Sequence, residues 1–487
     1  MAHILITAMP FAGHVRPMAA VAAALLERGH RVTAYTGAKH TDAFAALGCA
    51  TLPWSAAKDF DDARLVETFP ATGAPGIRGL IASVRDVFVG TARGQVDDLL
   101  AAHAATPFDA IVGDVMSLGA GLLAELTGLP WGTVSIVPLS MPSRDLPPGG
   151  IIATPGRGRL GRARDALARR AVPLFTAPLD RPHRALRVSL GLEPGRRFDS
   201  ALYSPTLVIA TGCPSLEFRR SDLPASVRFV GRLALPQAPE PKPAWVARLE
   251  DEGRPIVFVT QGTLDTDPTD LLVPALAGLA NEPVRVVGTT AGRELGTAPP
   301  PNARLIDFVP YPAIVPSAVV GVTNGGWGGV LEMLWMGVPL VVAGGTIEKP
   351  QVAARVAWCG AGVDMRTGRP SAAELREAVW KVRSDRRYKE RALEIAQELE
   401  HLGGAARAAA LIEALLLPAP SAEEPSPEPP QEPPTDQWPP KQPPPDELPP
   451  EEQDVIVARG RDGADAVMAR LRVATAGDIQ RGILKIA

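Results

Sequence analysis

The chain has 487 residues, 46% of them hydrophobic and 21% charged, with a formal net charge of −3. That length exceeds one ordinary core and predicts two domains, while the near-neutral balance argues against a nucleic-acid partner, which calls for a basic excess. Cys49, Cys213 and Cys359 have no CxxC or metal-ligand spacing, so they read as small buried apolar residues in a reducing compartment.

In chain order, His3 to Ala8 reads as a short buried strand. A turn, Met9 to His14, leads to Val15, Met18, Ala19, Ala22, Leu25 and Leu26 at helical spacing, with Gly29 as the stop. Arg31 to Tyr35 is the next strand. Strand, helix and strand in this order form a βαβ unit and imply a parallel sheet. The rhythm recurs in Ala110 to Val112, Leu118 to Leu126 and Trp131 to Val137. Residues 140–190 interrupt it with Pro147-Pro148-Gly149-Gly150 and a basic helical stretch, Arg157 to Arg170, expected to be a solvated helix face. The sheet resumes at Leu207 to Ala210 and Val227 to Val230.

Four prolines between 233 and 244 mark a linker. A second α/β block follows, with strands at 255–259, 284–287, 319–323, 340–343 and 362–364 and helices at 271–279, 371–382 and 388–415. The expected division is therefore 1–232, linker 233–244, then 245–416. Residues 417–453 are proline-rich and acidic, a composition that buries no core and predicts a disordered linker. Residues 454–487 form an extension of unassigned role, and the tail is left as a candidate contact for a protein partner. The N-terminus lacks the features of a secretory signal and no apolar run spans a bilayer, so a cytoplasmic chain without membrane insertion is expected.

Three features carry chemistry. His14 follows the first strand, at the edge where parallel sheets bind ligands. Its position leaves it open between a general base, for which an imidazole is suited, and an ordinary loop histidine. Asp114 ends another strand of the same sheet, where a carboxylate either caps a helix or fixes the tautomer of a neighbouring histidine. The third feature is Val322-Thr-Asn-Gly-Gly-Trp-Gly-Gly-Val330, a strand entering a glycine-rich turn and leaving as a helix. Glycines admit a diphosphate close to the backbone, and the helix start supplies unpaired N–H groups. The pattern is out of register with the GxGxxG of nicotinamide enzymes, which also belongs after the first strand. Asp265-Thr266-Asp267 mimics a metal-binding DxD, but it sits in a polar loop where helix capping is the simpler role. No metal and no cofactor are expected.

In this order the motifs resemble the GT-B glycosyltransferases of family 1, the macrolide and natural-product group. Gly13-His14-Val15-Arg16-Pro17 resembles the N-terminal GHxxP turn, Thr260-Gln261-Gly262-Thr263 the loop opening the donor domain, and Phe308-Val-Pro-Tyr311 through Val352 the donor signature. The resemblance covers roughly residues 1–416. It implies two Rossmann-like domains facing across a cleft and inverting transfer of a hexose from a UDP- or dTDP-sugar to a small, largely apolar acceptor. His14 would be the base, held by Asp114, with Phe11 and Gly13 beside the acceptor. Phe308 and Val309 would receive the base, Glu332 the ribose, and Thr263 with Gly325, Gly326, Trp327, Gly328 and Gly329 the diphosphate. Asn324 stands where the family usually has histidine, and the sugar-reading Asp/Glu-Gln pair is Glu348-Lys349. The rival readings are an epimerase of the same fold and a donor-binding auxiliary protein without turnover.

Overall fold

Thirteen strands form two separate sheets in a computed structural model that describes residues 1–417 apart from 75–76, 150–152, 196, 237–241 and 263–266. The expected tail regions from 418 onward and residue Thr263 lie outside the described residues. The first sheet holds β1 (His3–Thr7), β2 (Arg31–Thr36), β3 (Ala50–Pro53), β4 (Ala110–Asp114), β5 (Trp131–Ser135), β6 (Val208–Thr211) and β7 (Val227–Gly231). Their order is β3-β2-β1-β4-β5-β6-β7, and all pairs are parallel.

The second sheet holds β8 (Ile256–Thr260), β9 (Arg285–Thr289), β10 (Ala303–Ile306), β11 (Ala318–Thr323), β12 (Leu340–Val342) and β13 (Gly362–Asp364), ordered β10-β9-β8-β11-β12-β13 and again parallel. Central strands such as β1, β4 and β8 are buried at every position, as expected where helices cover both faces. These are the two Rossmann-like sheets the sequence predicts. The strands it misses, β3 and β10, are edge strands with exposed positions and no clean apolar run.

In each sheet the strand order reverses once, between β1 and β4 and between β8 and β11. Chains leaving neighbouring strands at such a point diverge to opposite faces and open a crevice at the carboxyl edge. His14 follows β1 and Asp114 ends β4; Gln261 and Asn324 follow β8 and β11. Both sequence-nominated turns therefore sit at switch points, a placement that depends on strand order.

Two departures from the sequence reading concern helices. The basic stretch continues as one helix, Gly158–Ser189, through Pro173, Pro178 and Pro182. The expected run 388–415 is two helices, Arg386–His401 and Gly404–Leu415, separated at Gly403 and Gly404, whose φ values of +80° and +54° reverse the chain. The last of these helices does not stay on the second sheet. Ala408, Ala409 and Ile412 pack into the core of the first, and Glu413 accepts hydrogen bonds from Arg28 and His30 beyond the helix Ala12–Glu27. Cys49, Cys213 and Cys359 are free and buried, and burial pushes the Cys49 and Cys359 thiols up to about 11.

Candidate active site

His14 lies in the first turn of the helix Ala12–Glu27, whose start is set by His14 N–H and Val15 N–H donating to the Phe11 carbonyl. Its Nδ1 is 2.6 Å from Asp114 Oδ2. The carboxylate is fully enclosed and also accepts from Met9 N–H and Met116 N–H, each at 3.0 Å. Three N–H donors satisfy its oxygens, as a buried carboxylate requires. A carboxylate accepts only, so His14 carries its proton on Nδ1 and presents a lone pair on Nε2. The imidazole itself remains partly exposed. The pair suggested by two separate motifs is thus one hydrogen-bonded unit.

Phe11 lies 5.4 Å from the His14 ring and packs on Phe60 and Phe88, centroid to centroid 5.1 and 6.1 Å. These rings make an apolar wall beside the imidazole. Gly13 is exposed, and a Cβ built there would meet no atom within 4 Å, so protein packing does not explain the glycine. Beneath the dyad, the buried Gln95 accepts from Gly119 N–H and Ser117 Oγ, fixing the turn that follows Asp114.

The glycine-rich turn runs from β11 into the helix Trp327–Trp335. Gly325 has φ +88°, and its missing Cβ would lie 3.0 Å from Val342 Cγ1. Gly326 and Gly328 face open space, whereas a Cβ on Gly329 would meet the Tyr311 hydroxyl at 2.9 Å. The helix has no side-chain cap, so the first-turn amides are available to an anion.

The side chains around this turn are already engaged. Asn324 Nδ2 donates to the Gln261 carbonyl at 2.5 Å, tying the ends of β11 and β8 together. The Trp327 indole is buried and donates to Thr211 Oγ1 at 2.9 Å, across to the first sheet, so only its backbone belongs to an anion site. Both Glu332 oxygens accept from Arg232 Nη1 at 2.9 and 3.1 Å, and that guanidinium stacks 3.5 Å over Trp335. Phe308, just beyond β10, is 69% exposed and presents an uncovered ring, while Val309 turns into the core. Glu348 is half-buried. Lys349 is buried and opens the helix Lys349–Cys359, and its carbonyl would lie 2.3 Å from a Cβ on Gly344. Of the apparent DxD, Asp267 accepts from Thr269 N–H and Oγ1 in a local turn rather than capping the helix Leu272–Leu279, which has no side-chain cap; Asp265 lies outside the described residues.

Sequence reading missed a further joint between the two sheets. Arg355, buried on the Lys349–Cys359 helix, makes a two-pronged bond to Glu217 beyond β6, with both N···O distances 3.0 Å. It also donates to the Leu139 carbonyl at 3.1 Å and lies over Phe218. Arg220 approaches the same carboxylate at 3.5 Å. Arg355 belongs to no motif, and an arginine on a helix ordinarily points to solvent.

Comparison with known proteins agrees with this geometry. Residues 271–406 match the family described as "Erythromycin biosynthesis protein CIII-like, C-terminal domain". The chain is 40% identical over 423 residues to 4'-demethylrebeccamycin synthase of Lentzea aerocolonigenes, spanning 85% of this chain and 100% of that protein. It is 30% identical to UDP-glucosyltransferase B1 of Starmerella bombicola, spanning 82% and 94%. Among solved structures, the glycotransferase of kitacinnamycin superposes with a TM-score of 0.66 at 25% identity over 85% of this chain and 99% of that one. The glycosyltransferase VinC, in complex with dTDP, shares the fold with a TM-score of 0.61 at 20% identity, over 85% and 99%. With the motifs standing at both switch points and a full-length relative at 40% identity, the chain belongs to the GT-B glycosyltransferases of natural-product biosynthesis.

Proposed function

We propose that the enzyme transfers a sugar, with inversion, from a UDP- or dTDP-sugar to a hydroxyl of a small, largely apolar acceptor, and that His14 is the general base. The observation that carries this reading is the His14–Asp114 pair at the first switch point, with Nε2 left to accept a proton. The acceptor binds on the first sheet against Phe11 and its neighbouring rings, with Gly13 leaving room for it. The acceptor O–H proton moves to His14 Nε2 as the oxygen forms its bond to the anomeric carbon. The bond from that carbon to the diphosphate oxygen breaks, and the electron pair leaves with the nucleotide. Asp114 stabilises the imidazolium so formed.

The leaving diphosphate gathers negative charge. The first-turn amides of the helix Trp327–Trp335 stabilise it without a metal, because they point at that position before the reaction begins. Phe308 stacks on the base. Glu332 binds the ribose, which requires it to share or release Arg232. Glu348 and Lys349 read the sugar. Both nucleotide bases are retained in the proposal: one relative is named a UDP-glucosyltransferase, and VinC was solved with dTDP.

The test is His14→Ala. Transfer should fall by at least about a hundredfold, while the melting-point rise produced by UDP or dTDP should be unchanged. Unchanged turnover would overturn the mechanism. A product that is still a nucleotide sugar would make the enzyme an epimerase.

A further inference from the structure

The helix Gly158–Ser189, about 48 Å long at the α-helical rise, is amphipathic in the wrong sense. Its inner face buries polar groups. Arg187 is bonded by two prongs to Glu125 at 2.7 Å, Asp180 accepts from Phe198 N–H, and His183 is enclosed beside the Phe198 ring. Its outer face carries Leu160, Leu167 and Leu174 at seven-residue spacing, which are 88%, 69% and 80% exposed, with Phe175 next to them. Seven residues are nearly two helical turns, so these leucines form one stripe. The solvated basic face expected from the sequence is present, with Arg157, Arg159, Arg162, Arg164 and Arg170 exposed, but the structure turns leucines outward as well.

The charges flanking the stripe are of one sign. Arg159, Arg162, Arg170, Arg181 and Arg184 are exposed and have no carboxylate partner among the described residues. The two acidic residues of the helix, Asp165 and Asp180, are both buried. An exposed leucine stripe lined with arginines and lacking acidic groups matches a surface that is apolar within and anionic at its rim. A second copy of the same helix would bring arginine against arginine.

We propose that this helix docks the enzyme on an anionic lipid surface, with the leucines entering the acyl boundary and the arginines meeting lipid phosphates. No described helix is long and apolar enough to cross a membrane, so the association is peripheral. Docking would place the enzyme where apolar acceptors accumulate, but the binding itself needs neither donor nor acceptor.

The experiment is co-sedimentation of the full chain with vesicles of phosphatidylcholine alone or with about 30% phosphatidylglycerol. Binding should be at least about tenfold stronger to the anionic vesicles and should weaken between about 0.1 M and about 1 M salt. The double variant Leu167→Glu/Leu174→Glu should lose that binding about tenfold or more while keeping its nucleotide-induced melting shift, since both positions are exposed. Replacing Arg159, Arg162 and Arg170 by Gln should remove the preference for anionic lipid. Absent binding, or equal binding by the glutamate variant, overturns the proposal. A concentration-dependent dimer abolished by the same glutamates also overturns it, by assigning the stripe to a second copy of the chain.

Discussion

The turns at the two switch points are built on opposite plans. After β1 and β4 the groups at the carboxyl edge are side chains, an imidazole and a carboxylate held by three N–H donors. After β11 the side chains are committed to the protein itself. Asn324 bonds to Gln261, Trp327 to Thr211 and Glu332 to Arg232, leaving the backbone and its glycines to face a ligand. The difference fits the chemistry proposed for each site. Moving one proton needs a single well-placed titratable group, whereas holding a diphosphate needs several donors in a fixed curve, which peptide N–H groups supply. The first turn should therefore be sensitive to losing side-chain atoms and the second to gaining them.

The largest effect should come from the side-chain site. In Asp114→Asn the amide oxygen can still accept from His14, but the anion that stabilises an imidazolium is gone and the new NH2 faces a backbone donor. Transfer should drop about a hundredfold to ten-thousandfold with donor binding intact, read from kcat against the nucleotide-induced melting shift. A drop expressed only in donor affinity would erase the distinction between the two turns.

Next is the joint that holds the turns in register. Arg355→Ala leaves the enclosed Glu217 with Arg220 alone and should cost about 3 kcal/mol in a urea titration. Arg355→Lys keeps a charge but not the two-pronged bond, so it should recover only part of that loss.

The glycine turn gives a paired test. Gly325→Ala forces a side chain into φ +88° against Val342 and should cost about 1–2 kcal/mol of stability. Gly328→Ala meets no protein atom and improves helix propensity by about 1 kcal/mol. Its melting point should hold or rise while its response to UDP or dTDP shrinks. An unaltered nucleotide response in Gly328→Ala would mean that the backbone plan is wrong.

The smallest effect concerns the returning C-terminal helix. Arg28 and His30 hold the Glu413 carboxyl down to about 2, below its ordinary value of 4.5. Its contribution is complete above the ordinary value and fades as pH falls from 4.5 toward 2. Glu413→Gln should flatten the acid side of the stability profile, lying slightly below the native chain near neutrality and converging with it as pH falls toward 2, as followed by urea midpoints at successive pH values. Ala408, Ala409 and Ile412 still hold the helix in that variant.

Much of this was legible in the linear sequence. Alternation of apolar runs with helical spacing marks β1, β2, β4, β5 and most of the second sheet, because central strands of a parallel sheet are buried on both faces. The GHxxP turn and the glycine-rich segment announce themselves because the residues that define them are adjacent in the chain. Edge strands β3 and β10 escape such a reading because their exposed positions break the apolar run, whereas the other two edges, β7 and β13, keep buried positions.

The sequence by itself determined the two α/β blocks, the histidine at the first turn and the glycines at the second, all consequences of local pattern and local backbone freedom. Only the tertiary structure decided that His14 and Asp114 form one unit and that Glu332 is held by Arg232. It also decided that Arg355 clamps one sheet to the other and that the leucines of Gly158–Ser189 face outward. The physical reason is that each of these depends on strand order or on which face of a helix is covered. Those choices are fixed by burial across the whole chain, and no local pattern records them.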